Sequence, residues 1–561
     1  MSRPAASKNL TLSGTSISPG LAAGKAFVYR DVLEEQLDAV TIRPDQVDAE
    51  CKRLHRAAEQ VLIELKESAR RVVDQIGPYH AEIFGVHRTM LEEFLQSRQT
   101  RHEMETEHVS VETAVQRVFH RWVQRVQADE STRFVQRADD VADLGRQILR
   151  QLMGVAVHPL EKMPEGGVLV APRLLPSDAV FFARRNAVAV VVELGAPATH
   201  CALITRQMGI PGVRGVPDAT EKIEAGDVVL VDGFRSTVVV KPDRHTRKSF
   251  ERRIEQFHLQ WKNAKARCRD PAVTADGVRI PVMANVANRA DVRVAVENGA
   301  DGVGLYRLEA VFMLRKSLPT EQELLDEIAN TLVPMQHKPA IVRLLDVGSD
   351  KDLPYLAFEA EPAPCLGRRG VRLLLAEPQL LKIQLRALLR LSQVRHVQIM
   401  VPMITLPEDM QAVRQAAQTE ASDLGIHTIP PLVAMIETPA AALCVPEILQ
   451  FADALSLGTN DLTQYTMAAG RQNPLVHRYF QDDHRAVLRL IRLAASEAGS
   501  VLVGVCGELA GQPHAVPMLL DAGVRLLSVA PPLIPTIKEA VRHSPAKRRN
   551  RVHEHTVHTQ A

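Results

Sequence analysis

The sequence predicts a multidomain α/β protein: an α/β domain with an inserted α-helical domain, followed by a (β/α)8 TIM-type barrel. Three observations predict it. From Arg279 onward, short apolar runs alternate with helical patterns, placing strands near 280–286, 301–306, 340–346, 396–403, 431–437, 453–458, 502–507 and 525–530. Eight strand–helix units in about 270 residues suit a closed parallel barrel in count and length. Ahead of them, two strand-rich stretches flank a long segment whose apolar residues recur every three and four positions, the period of amphipathic helices.

The elements follow in order. Gly14–Tyr29 reads as strand, turn, strand, punctuated by Pro19-Gly20. From about Asp45 to Leu152 the pattern is helical, as in Val61-Leu-Ile-Glu-Leu65 and Val115–Val123, with Gly77-Pro78 breaking the first long helix. Strands return at Gly167–Ala171, Ala187–Val192, Val228–Asp232 and Thr237–Lys241. The simplest arrangement joins 11–30 and 153–243 into one α/β domain, with 31–152 inserted as a helical domain. A charged helical connector is expected over 244–270 and the barrel over 271–543. The basic tail 544–561 lacks periodicity and is expected to be disordered.

Bulk composition excludes several classes. Hydrophobic content of 46% and charged content of 24% are those of a soluble globular protein. A net charge of only +2 argues against nucleic acid or an anionic membrane as a partner. The charge is uneven: residues 31–150 carry 17 Lys+Arg against 23 Asp+Glu, a local −6 that leaves +8 elsewhere. An acidic helical module can dock a basic partner, although solvated helix faces explain the same count. The six cysteines, at 51, 201, 268, 365, 444 and 506, form no CxxC pair, so neither a zinc site nor a disulfide framework is expected. Met1–Leu10 lacks the apolar core of a signal peptide, and no apolar run approaches the ~20 residues that span a bilayer. A reducing cytoplasm is the expected location.

The chemistry concentrates at strand ends. Leu455–Leu457 breaks at Gly458 and delivers Asn460 and Asp461; Leu432–Ile436 ends in Glu437; Leu502–Val505 ends in Cys506. Arg307, Arg343 and Asp346 close earlier strands, and Arg369 and Arg471 lie in loops beyond. In a barrel all of these share one rim. Two carboxylates with several arginines suit a Mg2+-assisted phosphate site, the guanidinium forks gripping phosphoryl and carboxylate oxygens. Taken singly, an arginine or glutamate is usually a surface ion-pair partner and a cysteine a small core residue. Their joint placement at one end of successive strands is what argues for function. Cys506 adds a thiol able to protonate carbon, as an enol phosphate requires when it becomes a ketone. A second constellation is Gly195-Ala-Pro-Ala-Thr-His200, where a histidine opens an apolar helix. There it can accept a phosphoryl group, with free backbone N–H groups stabilising the added charge.

The stretches Asp346-Val-Gly-Ser-Asp-Lys351, Ile436-Glu-Thr-Pro-Ala-Ala441, Leu457–Tyr465 and Val505–Gly511, in this order, resemble Enzyme I of the bacterial phosphoenolpyruvate-dependent phosphotransferase system. The resemblance runs from about Gly14 to Arg542. It implies a swivelling phosphohistidine α/β domain, the inserted helical domain and a phosphoenolpyruvate-binding barrel. It implies that phosphoenolpyruvate, bound with Mg2+, phosphorylates His200 and leaves as pyruvate, and that the group then passes to a histidine of the carrier HPr. By matching position, Arg307, Arg343, Lys351, Arg369, Asn460 and Arg471 would hold the substrate, Glu437 and Asp461 the metal, and Cys506 would protonate the methylene carbon. Glu82, Phe84, Glu92 and Glu93 would face HPr, the segment 244–270 would hinge, and the chain would form a homodimer through its barrel.

The chain departs from the family pattern at several points. Gly195-Ala-Pro-Ala-Thr-His200 stands where Gly-Gly-Arg-Thr-Ser-His is usual, which bears on the rate of phosphorylation rather than its site. Leu308 replaces Thr or Ser, Ala363 an asparagine and Gly470 an acidic residue. The altered histidine loop motivates an alternative reading, a diverged regulatory protein that senses phosphoenolpyruvate with little turnover. Against it, each metal, arginine and thiol position is filled as in an active enzyme.

Overall fold

The computed structural model describes residues 9–29, 33, 40–75, 78–127, 132–155, 159–175, 178, 186–194, 205, 209–313, 315, 317–349, 353, 355–356, 361–471 and 473–546. The chain divides into two compact units, Met1–Leu259 and Gln260–Ala561.

The first unit is built on an eight-stranded mixed sheet. Its strands are β1 (Leu10–Ser13), β2 (Thr15–Ser18), β3 (Leu21–Val28), β4 (Val168–Ala171), β5 (Ala189–Val192), β6 (Gly212–Arg214), β7 (Val228–Asp232) and β8 (Thr237–Val240). They lie in the order β1-β8-β7-β3-β4-β5-β6-β2. β3 runs parallel to β4 and β5, so the N-terminal segment and the segment after Leu152 close one sheet. Valine-rich strands buried on both faces explain its centre: every residue of β4 and β5 is buried. β6 is a strand that the sequence pattern alone did not single out.

Five helices leave and return to this sheet: α1 (Val47–Gln75), α2 (Pro78–Gln96), α3 (Gln99–Glu107), α4 (Val111–Gln127) and α5 (Thr132–Leu152). Pro78 opens α2, a position where its missing N–H costs nothing. Phe94, Phe119 and Trp122 pack ring against ring at centroid distances of 4.7 to 5.7 Å in the helical core. Arg146 of α5 is fully buried and is tied to the sheet side. Its Nη1 donates to Tyr29 Oη at 2.7 Å and its Nη2 to Asp178 Oδ1 at 2.9 Å. The helix Arg244–Ala266 follows β8, within the segment read as a connector.

The second unit is a closed barrel of eight parallel strands: β9 (Val282–Val286), β10 (Val303–Arg307), β11 (Ala340–Arg343), β12 (Val397–Val401), β13 (Leu432–Ile436), β14 (Ala454–Leu457), β15 (Val503–Val505) and β16 (Leu526–Val529). All eight expected strands form, and β16 pairs with β9 to close the ring. Two cores result. A large one fills the space between strands and surrounding helices. A small one inside the barrel collects Leu305, Ile341, Met400, Val433, Met435 and Cys506. Ala546, beyond the last helix, is buried and its N–H donates to Asp276 at 2.8 Å. Among the described residues, no helix is long and apolar enough to cross a membrane.

Candidate active site at the barrel mouth

Each strand of the barrel ends toward the same rim, so a residue at or just past a strand's C-terminus faces the mouth. Local capping fixes several of these exits. After Glu437, Thr438 caps the helix Pro439–Leu443: its Oγ1 accepts from Ala441 N at 3.1 Å and donates to Ile404 O at 3.0 Å. The carboxylate of Glu437 is thereby held inward, 2% exposed as a residue, with Oε1 accepting the Met403 N–H at 2.6 Å. Gly458 is needed beside it, because a Cβ there would lie 2.6 Å from Glu437 Oε2. Gly507 is needed for the same reason against Thr459, whose Oγ1 would sit 1.9 Å from its Cβ.

Arginines and carboxylates interlock around this point. Arg369 grips Asp346 with two bonds, Nε to Oδ1 at 3.1 Å and Nη2 to Oδ2 at 2.7 Å. The same Nη2 lies 3.4 Å from Asp461 Oδ2, and Nη1 lies 3.5 Å from Tyr465 Oη. Arg343 pairs its Nη2 with Glu309 Oε1, and its Nη1 lies 3.4 Å from Asp346 Oδ2. Burial alone would lower the pKa of both guanidinium groups. The surrounding carboxylates more than reverse that, led by Glu309 for Arg343 and by Asp346 for Arg369, so both stay charged.

The carboxylates feel the opposite pressure. Burial pushes Glu437 up to about 8, and the nearby charges of Asp461 and Asp346 add to the shift, with Arg343 and Arg369 opposing it. This crowding of negative charge favours a cation. Two carboxylates, Glu437 and Asp461, offer hard oxygen donors of the kind that suit a hard divalent cation. Among the described residues, no group of three or more His, Cys, Asp or Glu side chains is placed to hold a metal by itself.

The helix Thr459–Met467, which carries Asp461, also presents Asn460, whose Oδ1 accepts the Glu508 N–H at 2.9 Å. Glu508 Oε1 pairs with Arg471 Nη2 at 2.5 Å. Cys506 sits between these groups and the apolar barrel interior, 5% exposed, its Sγ 3.7 Å from Leu457 O. Burial pushes its thiol up to about 11. Asn285 fixes the same turn, donating from Nδ2 to Cys506 O at 2.9 Å while accepting from Ser528 Oγ at 2.6 Å.

The structure thus brings Arg343, Arg369, Glu437 and Asp461 into one charged cluster, with Cys506 beneath and Asn460 and Arg471 joined through Glu508. Arg307 is exposed at the end of β10, beside Arg343. Lys351 and His200 lie outside the described residues. Glu92 and Glu93 are exposed on α2, and Glu82 and Phe84 belong to the same helix. Glu309, Tyr465, Glu508 and Asn285 also belong to the mouth but were not singled out from sequence. Glu508, two residues after Cys506, was within reach of the strand-end rule; Tyr465 announces itself only by its contacts.

Three family models match the chain. "PEP-utilising enzyme, PEP-binding domain" covers 262–546, "PEP-utilising enzyme, N-terminal" covers 13–137 and "PEP-utilising enzyme, mobile domain" covers 163–236. The phosphoenolpyruvate-protein phosphotransferase of Geobacillus stearothermophilus is 33% identical over 537 residues, spanning 93% of this chain and 91% of its own. That of Bacillus subtilis is 32% identical over 533 residues, spanning 92% of each chain. That of Haemophilus influenzae is 31% identical over 544 residues, spanning 95% of this chain and 94% of its own.

Proposed function

The chain belongs to the phosphoenolpyruvate-protein phosphotransferases and is an enzyme of that kind, and from this premise we propose how its residues divide the work. Phosphoenolpyruvate binds at the barrel mouth, where Arg307, Arg343, Lys351, Arg369 and Arg471 hold its phosphoryl and carboxylate oxygens, with Asn460 alongside. Glu437 and Asp461 hold Mg2+, which when bound offsets charge on the phosphoryl oxygens. His200 supplies a ring nitrogen as nucleophile. The bond between phosphorus and the enol oxygen breaks as the bond to that nitrogen forms, leaving an enolate. Cys506 then gives its thiol proton to the methylene carbon, and pyruvate departs.

The observation that carries this reading is the electrostatic sorting at the mouth. Guanidinium groups kept charged by carboxylates suit phosphate, crowded carboxylates suit a cation, and a thiol pushed up to about 11 is still protonated at neutral pH. A proton donor must arrive loaded, and this one does.

We propose the remaining assignments by likeness to the family. Residues 11–30 and 153–243 form the phosphohistidine domain, and 31–152 the HPr-binding domain, docking through Glu82, Phe84, Glu92 and Glu93. The segment 244–270 is the hinge that lets His200 serve both the barrel over 271–543 and a histidine of HPr. The enzyme works in the cytoplasm as a homodimer joined through its barrel.

The test is incubation of the full chain with phosphoenolpyruvate and Mg2+, read by intact mass and pyruvate release. One acid-labile phosphate, stoichiometric pyruvate and loss of both in His200→Ala are expected. Phosphoenolpyruvate bound without phosphate transfer or pyruvate would replace this reading with the regulatory one.

A further inference from the structure

β10 and β11 are parallel neighbours, and their register sets Arg307 directly against Arg343. Two like charges at adjacent positions repel. Left alone, the two guanidinium groups would splay apart, and their joint grip on one phosphoryl group would be lost. The chain supplies a correction within two residues. Leu308, fully buried, anchors the end of β10 in the core. The short helix Glu309–Met313 then begins, and its first residue turns back to pair with Arg343. Both partners are shielded, the Arg343 side chain 11% exposed and that of Glu309 13%. Asp346 holds the other terminal nitrogen of Arg343 at 3.4 Å. The two carboxylates bracket the guanidinium and leave it little rotational freedom.

We propose that Glu309 is a positioning residue for the phosphoryl transfer, orienting Arg343 against the repulsion of Arg307. The inference rests on the reading that Arg343 binds the phosphoryl group. Glu309 itself touches no reacting atom; it acts through the guanidinium fork. A planar fork binds phosphate well only when two donors face two oxygens, so its orientation matters more than its charge. A misdirected group at a reacting centre costs up to about 10²-fold in rate.

A buried ion pair can also be purely structural, and the two roles separate by measurement. Glu309→Gln keeps the shape and removes the charge; Glu309→Asp keeps the charge on a shorter arm. In the full chain with Mg2+, Glu309→Gln is expected to raise KM for phosphoenolpyruvate about tenfold, with a smaller fall in kcat. Glu309→Asp is expected to recover most of the loss. A lowered melting temperature with KM and kcat unchanged would overturn the proposal, since the pair would then only hold the fold. Tighter phosphoenolpyruvate binding in Glu309→Gln would overturn it too, marking Glu309 as a competitor for Arg343. Wild-type protein that neither binds nor turns over phosphoenolpyruvate would remove the underlying reading, and this inference with it.

Discussion

The two ends of the barrel bury charge in different ways. At the foot, Lys538 is fully buried on the last helix, and its Nζ donates to Gly299 O at 2.7 Å and Asp301 Oδ1 at 3.3 Å. Arg542 on the same helix donates to Asp270 O at 2.8 Å and Arg267 O at 3.0 Å, and pairs with Glu539 at 2.5 Å. Each cation there meets backbone carbonyls together with one carboxylate. At the mouth, charged groups are instead shared and crowded. Asp346 is shared between Arg343 and Arg369, and Glu437 is crowded by Asp346 and Asp461. Charge at the foot closes the fold, whereas charge at the mouth is held ready for a partner. The difference is one of which groups are left in competition.

Breaking each end separately sharpens the contrast. At the mouth, Cys506→Ser is expected to cut pyruvate formation about 10²- to 10⁴-fold while phosphoenolpyruvate still binds, because only the proton donor to carbon is weakened. Stopped-flow pyruvate release against equilibrium binding measures both. At the foot, Lys538→Met is expected to cost about 1–3 kcal/mol in urea unfolding, because the buried Gly299 carbonyl loses its donor and Asp301 is left with the Val282 N–H. Its KM for phosphoenolpyruvate should not move. A mouth-like effect on KM from Lys538→Met would erase the division drawn here.

The pH response should also differ. Glu437 stands at about 8 in the fold against an ordinary value of 4.5. The folded state therefore binds this proton more tightly than the unfolded chain does. Its stabilisation is fully present below pH 4.5 and is lost as pH rises through about 8. In chelator-treated protein the unfolding free energy, read from urea titrations, should fall across that window by an amount on the order of a few kcal/mol. Glu437→Gln should flatten the slope. Mg2+ should flatten it as well, by favouring the ionised carboxylate.

Much of this was legible beforehand, for identifiable reasons. The barrel strands announce themselves because buried parallel strands are largely apolar runs, and glycine, proline or a polar residue follows most of them. Strand-end residues such as Glu437, Asp461 and Cys506 inherit their common location from the barrel's topology alone. Glu309 and Tyr465 were not legible. Their roles arise from partners 34 and 100 positions away, at Arg343 and Cys365, and no local pattern encodes such pairings. β6 escaped notice because three residues are too few to show a period. Arg307 and Arg343 were both picked out, yet their direct opposition depends on a register that only the paired strands reveal.

Tyr465 offers the finest test of how the mouth is held. It lies on the helix that carries Asn460 and Asp461, and its hydroxyl donates to Cys365 O at 2.5 Å. Cys365 belongs to the loop that leads into Arg369, whose Nη1 is 3.5 Å from the same hydroxyl. One oxygen thus ties the carboxylate-bearing helix to the arginine-bearing loop. Tyr465→Phe keeps the ring and removes the tie. One neutral hydrogen bond contributes about 1 kcal/mol, so a roughly fivefold rise in KM with kcat nearly intact is expected. If the loop is held instead by Glu361, which accepts the Arg368 N–H at 2.9 Å, then Tyr465→Phe will leave KM unchanged and Glu361→Gln will raise it. The two variants together decide whether Arg369 is set from the helix or from its own loop.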